Sequence, residues 1–167
     1  MKAKLVIATT AIFFSFTNIA NAQTATATMQ DSAGQAVGTV TLDQHPNGVL
    51  VSAELEGLPA GAHGFHIHAV GSCDDGFKAA KGHFNPEDAS HGLGYGTNMH
   101  AGDMPNIFVG TDGNVTADVF NHLVTLESGH SNSIHDADGS SIIIHAKADS
   151  YGKDAGAGDR IACGVIR

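Results

Sequence analysis

Cations are scarce in this chain. Among 167 residues there are 8 lysines and arginines against 17 acids, a formal charge of −9 with the histidines neutral. Nucleic acids and anionic membrane surfaces are held through basic patches, so this balance argues against both as partners. Cysteine is nearly missing as well. Cys73 and Cys163 are the whole supply, and neither belongs to a C-x-x-C pair of the kind that builds thiolate metal sites. There is no internal repeat and no low-complexity tract. The only long apolar run, Leu5 to Phe16, is interrupted by Thr9, Thr10 and Ser15 and falls short of the roughly 20 residues a spanning helix needs.

That run follows Lys2 and Lys4 and precedes Ala20-Asn21-Ala22, a small-x-small pattern. The sequence therefore predicts a signal peptide over residues 1–22 and an exported protein beginning at Gln23, with the periplasm as its expected location. The segment carries two lysines and no acid, so 6 cations face 17 acids in residues 23–167 and the charge deepens to −11. The 145 residues that remain suit one domain with its own core. In an oxidising compartment an even pair of cysteines favours one disulfide, Cys73–Cys163. Closing that span stabilises by roughly 4–5 kcal/mol in the chain-entropy account.

Helical periodicity is absent beyond the signal segment, and alternation takes its place. It is clear in 25–29, 37–42 and 49–55, with further candidate strands at 64–70, 107–110, 115–120, 141–148 and 161–166. Turn signals such as Pro46-Asn47-Gly48 and Thr111-Asp112-Gly113-Asn114 separate them. About eight short strands of this kind predict an all-β, closed antiparallel barrel or sandwich. Gly71 to Pro105 and Asp149 to Asp159 break the rhythm. Structureless stretches of such length are often functional.

Histidine is what the chain has in abundance. His66 and His68 are two apart and project from one face of a strand, and His145 ends the apolar strand after Ile142, Ile143 and Ile144. His83, His91, His100 and Asp103 fall within 21 residues of a glycine-rich loop that has no core of its own. A bound cation offsets the entropy of ordering such a loop. Three imidazoles and a carboxylate satisfy tetrahedral zinc with no open position, the mark of a structural site. The strand histidines then suit a more exposed, redox-capable metal.

Gly64-Phe65-His66-Ile67-His68, Gly82-His83-Phe84-Asn85-Pro86, His100-Ala101-Gly102-Asp103 and the run Gly158 to Ile166 resemble, in order, the signatures of the secreted copper/zinc superoxide dismutases. The resemblance implies an eight-stranded Greek-key β-barrel of immunoglobulin-like architecture with long metal-binding loops. It implies copper on His66, His68, His83 and His145, and zinc on His83, His91, His100 and Asp103, with His83 shared. Asp149 matches the carboxylate that hydrogen-bonds a ligand of each metal, and such partners fix ring orientation. Arg160 matches the arginine that meets superoxide beside the copper, and its rigid fork suits a small oxygen anion better than lysine would.

The same resemblance implies dismutation of superoxide to dioxygen and hydrogen peroxide, with His83 taking and delivering a proton, and a monomer or a homodimer. His63 is expected to be a buried, hydrogen-bonded histidine. His45, His122, His130 and His135 match no ligand position. Lys78, Lys81, Lys147 and Lys153 are the few cations available to help Arg160 attract an anion to an acidic protein.

Overall fold

The computed structural model describes residues 23–96 and 98–167, and the expected signal peptide lies outside the described residues. Nine strands appear among them: β1 (Thr24–Asp31), β2 (Ala36–His45), β3 (Gly48–Leu55), β4 (Gly61–His63), β5 (Phe65–His68), β6 (Ile107–Val109), β7 (Val115–Asn121), β8 (Ser141–His145) and β9 (Arg160–Val165). Seven form one antiparallel sheet in the order β5-β8-β9-β1-β2-β3-β7, and β4 pairs with β6 in a short ribbon. The all-β expectation holds. No described helix is long and apolar enough to cross a membrane.

Alternation does the folding in β1 to β3. Ala25, Ala27 and Met29 face inward while Thr24, Thr26 and Thr28 face solvent, and Val49, Val51, Ala53 and Leu55 repeat the pattern on β3. Their inner face meets Phe65, Ile67, Ile142 and Ile144, all fully buried. Each such side chain contributes roughly 1.5–3 kcal/mol by leaving water.

β5 and β8 break the alternation because all their residues are buried. One face of β5 packs on the core and the other is covered by the long connection to β6. That connection is stitched onto the free edge of β5. Ile67 N donates to the Gly102 carbonyl at 2.9 Å, Phe84 N donates to the Ile67 carbonyl at 2.9 Å, and Gly102 N donates to the Phe84 carbonyl at 2.8 Å. A β-carbon at residue 102 would run into the Ile67 carbonyl oxygen and crowd Phe84 N, so only glycine permits this approach.

Three details depart from the sequence pattern. The expected strand over 64–70 is preceded by a separate strand, β4, because Gly64 bonds instead to Lys147 and His145. β8 ends at His145 rather than at Ala148, since Ala146 N and Lys147 N turn to the carbonyls of Asp159 and Ala157. Within the long connection, Lys78–Ala80 and Leu93–Tyr95 form single 3-10 turns too short to leave a helical signature.

Candidate metal centre

The stitching of the loop onto β5 builds the centre. Isolated bridges pair His66 with Asp103 and His68 with His83, so a strand histidine faces a loop residue at two successive places. On the other edge of β5, His66 pairs with Ile143 of β8, which carries the chain to His145. His66, His68, His83 and His145 thereby bring one nitrogen each within 4.8 Å of one another. His68 and His145 meet Nε2 to Nε2 at 3.4 Å.

The loop side converges on Asp103. Its Oδ1 lies 2.7 Å from His83 Nδ1, 3.4 Å from His100 Nδ1 and 3.6 Å from His91 Nε2, while Oδ2 accepts from Gly92 N at 2.8 Å. His83, His100 and Asp103 form a compact donor set. His91 sits differently from its expected partners. Its Nδ1 donates to the Gly152 carbonyl at 2.6 Å and its Nε2 faces Asp149 Oδ2 at 2.9 Å, which groups it with His66 and Asp149.

Asp149 stands between His66 and His91. Its Oδ2 is 2.8 Å from His66 Nε2 as well as 2.9 Å from His91 Nε2, and its side chain is 2% exposed. Burial works against its charge, but the His66 bond and the Tyr151 N–H outweigh it and hold the carboxyl down at about 2. Asp103 is lowered likewise: burial opposes, and the His83 bond and Gly92 N–H prevail.

Four of the imidazoles, those of His66, His68, His100 and His145, are shifted towards the neutral form that a metal requires. Burial first and the neighbouring His83 second hold His68 down at about 2; burial and then His66 hold His145 at about 4. His66 and His100 are also lowered, chiefly by burial. His66 Nδ1 and His100 Nδ1 are buried without a hydrogen-bond partner. Buried polar atoms are ordinarily satisfied, so buried nitrogens left without partners beside other donors fit a metal-binding role better than they fit a packed protein core.

Arg160, the first residue of β9, is the ladder partner of His145. Its Nη1 donates to the Phe77 carbonyl and its Nη2 to the Lys81 carbonyl. The Lys81 carbonyl also accepts from His68 Nδ1 at 2.8 Å, so one oxygen ties the arginine to a strand histidine. Phe77 and Lys81 both stand in the left-handed region, at φ 68° and 62°. Such strain persists only where the surroundings over-determine it. No carboxylate pairs with Arg160 among the described residues. It lines a cleft of about 370 Å3 with Lys78, Gly76, Gly158 and Asp159. Of the other lysines, Lys147 lays its aliphatic stem over Gly158.

The disulfide joins Cys73 to Cys163 and leaves no free cysteine. His63 is buried between two carbonyls, with Nδ1 2.7 Å from His145 O and Nε2 2.8 Å from Pro59 O. His45, His122 and His130 stand apart from the cluster and line a separate groove, while His135 meets Gln23. The sequence pattern gave no sign of two further participants, Asn106 and Tyr151, which brace Asp149.

A curled antiparallel sheet thus carries clustered imidazole and carboxylate donors, in groups that share His66 and His83, and donors of these types suit borderline transition metals. The sequence profile of the copper/zinc superoxide dismutases (SODC) matches residues 36–166, and the chain belongs to that family. It is 44% identical over 161 residues to superoxide dismutase (Cu-Zn) 1 of Aquifex aeolicus, covering 94% of this chain and 95% of that one. It is 42% identical over 148 residues to the superoxide dismutase (Cu-Zn) of Caulobacter vibrioides, covering 86% and 85%. Among solved structures, a SOD-like protein from Bacillus subtilis superposes with a TM-score of 0.79 at 35% identity, covering 85% of this chain and 97% of that one. The Cu/Zn superoxide dismutase from Brucella abortus gives 0.71 at 32%, covering 87% and 100%. The protein is a superoxide dismutase with copper and zinc as its cofactors.

Proposed function

We propose that His66, His68, His83 and His145 hold the copper and that His83, His91, His100 and Asp103 hold the zinc. The observation that carries this division is the pair of donor sets meeting at His83, whose Nδ1 is engaged by Asp103 and whose other nitrogen is left for the strand set. His91 completes the zinc set when one of its nitrogens exchanges its present oxygen partner for the metal. Copper, when bound, supplies the one-electron couple by which one superoxide is oxidised to dioxygen and another reduced to hydrogen peroxide.

The chain's own residues do the rest. Arg160 is fixed by two carbonyls and keeps donors to spare for an anion in the cleft it lines with Lys78. His83 Nε2 is the atom placed to take up a proton and pass it to the departing peroxide, because Nδ1 is already committed to Asp103. Asp149 keeps His66 and His91 in fixed orientations.

The curled sheet is read as the family's eight-stranded Greek-key barrel, with the connections after β5 and β8 as its metal-binding loops. The protein is read as working after export, in the periplasm, as a monomer or homodimer that engages neither nucleic acid nor membrane. Its acidic balance, the pattern over residues 1–22 and the disulfide support this. One of its relatives, 35% identical over 159 residues, is named an extracellular superoxide dismutase of Brugia pahangi. Ligand assignment is tested by metal analysis of His145→Ala and His100→Ala. The first should lose copper and keep zinc and the second should do the reverse; loss of the same metal by both would refute the division.

A further inference from the structure

Asp149 is braced by two residues, Asn106 and Tyr151, that are not among the proposed metal ligands. The Asn106 side chain grips its backbone from both sides: Asp149 N donates to Asn106 Oδ1 at 2.7 Å, and Asn106 Nδ2 donates to the Asp149 carbonyl at 2.9 Å. Asn106 is itself anchored, since its backbone N donates to the Tyr151 hydroxyl oxygen at 2.8 Å. Tyr151 closes the circuit by donating its own N–H to Asp149 Oδ1 at 2.6 Å. The circuit joins the segment just before β6 to the segment after β8, which are 43 residues apart in the chain.

Tyr151 is held in an uncommon conformation, with φ at 61°. A bulky side chain in the left-handed region is unusual and marks a place where other contacts dictate the backbone. Those contacts are visible here. The Tyr151 carbonyl lies so close to Gly92 that a β-carbon at residue 92 would collide with it. The strap Asp149 to Gly152 then reaches His91 twice, through Asp149 Oδ2 at 2.9 Å and the Gly152 carbonyl at 2.6 Å.

We infer that Tyr151, through its hydroxyl and Asn106, is a positioning residue for the metal centre: it sets the place of the Asp149 carboxylate and so the orientation of the His66 and His91 rings. The inference rests on the ligand assignment above, and it adds a support that lies one step beyond the bridging carboxylate. Removal of an outer partner of a metal ligand costs about 10–100-fold in affinity, and a residue acting through a further link belongs at the low end of that range.

The test is Tyr151→Phe, which deletes one oxygen and keeps the ring, alongside Asn106→Ala. Zinc affinity is measured by competition with a chromogenic chelator, the copper site by electron paramagnetic resonance of the loaded protein, and apoprotein stability by thermal melting. Tyr151→Phe should weaken zinc by about tenfold, in keeping with the low end of that cost, and alter the copper spectrum; Asn106→Ala should do both more strongly. A Tyr151→Phe protein whose zinc affinity is unchanged or tighter and whose copper spectrum matches the parent would overturn the inference, even if its apoprotein melted lower. If Asn106→Ala fails to fold, Tyr151→Phe decides alone. The His100→Ala and His145→Ala metal contents report separately on the ligand assignment, so failure of one reading is distinguishable from failure of the other.

Discussion

His145 and Arg160 are partners across the β8–β9 ladder, at the point where its register shifts. A strand histidine of the donor cluster and the guanidinium proposed to meet the anion are thus placed by one backbone pairing. Arg160→Ala should keep its metals and lose about tenfold or more in kcat/KM, the scale on which local charge changes encounter rates. Arg160→Lys should recover only part, because a point charge on a flexible stem lacks the fork that the Phe77 and Lys81 carbonyls hold in place. Steady-state superoxide consumption with parallel metal analysis checks both.

The charge of −11 over residues 23–167 repels superoxide at a distance, while Arg160 and Lys78 line a common cleft. Attraction is therefore local and thinly supplied. The rate should be modest beside strongly steered relatives and should fall as ionic strength rises, since salt screens an attractive field within about 10 Å at 0.1 M. A rate indifferent to salt would remove the net attractive field from the account.

Gly102 is where the loop touches β5. Gly102→Ala would drive a methyl group into the Ile67 carbonyl and loosen the segment that presents Asp103 and His100. The expected cost is about 1–3 kcal/mol, the range for overpacking a close-fitted site. Zinc content should drop more than copper content. Denaturant unfolding of the apoprotein and metal analysis of the loaded protein measure the two effects.

The apoprotein should lose stability as pH falls. His68 and His145 are held in the fold at about 2 and about 4, below their ordinary 6.5, so the unfolded chain binds protons that the fold refuses. Their neutral burial is tolerated fully above about pH 6.5. Between about 6.5 and 4 the unfolded state gains protons first, and stability drains away through that window. Asp149, depressed from 3.8 to about 2, adds a loss of its own below about pH 4. Thermal melts of metal-free protein from pH 8 to 3 should show this decline, and a flat profile between 6.5 and 4 would count against it.

Much of the centre was legible in the sequence, because a strand's two-residue period puts His66 and His68 together whatever else the chain does. The glycine-rich loop and its spaced ligands were equally plain. What the sequence could not show is everything decided by contacts between distant segments. β4 was hidden because Gly61-Ala62-His63 is too short to display alternation. The turning of His91 towards Asp149 and Gly152 follows from the course of a strap some 60 residues away. The shared Lys81 carbonyl and the Tyr151–Asn106 brace are products of backbone placement, which composition and spacing do not encode.

The most direct test is superoxide consumption by the protein loaded with copper and zinc, set beside His145→Ala prepared in the same way. The parent protein should consume superoxide catalytically, and the variant should retain zinc and lose nearly all of that activity. A fully loaded parent that consumes no superoxide would contradict the account.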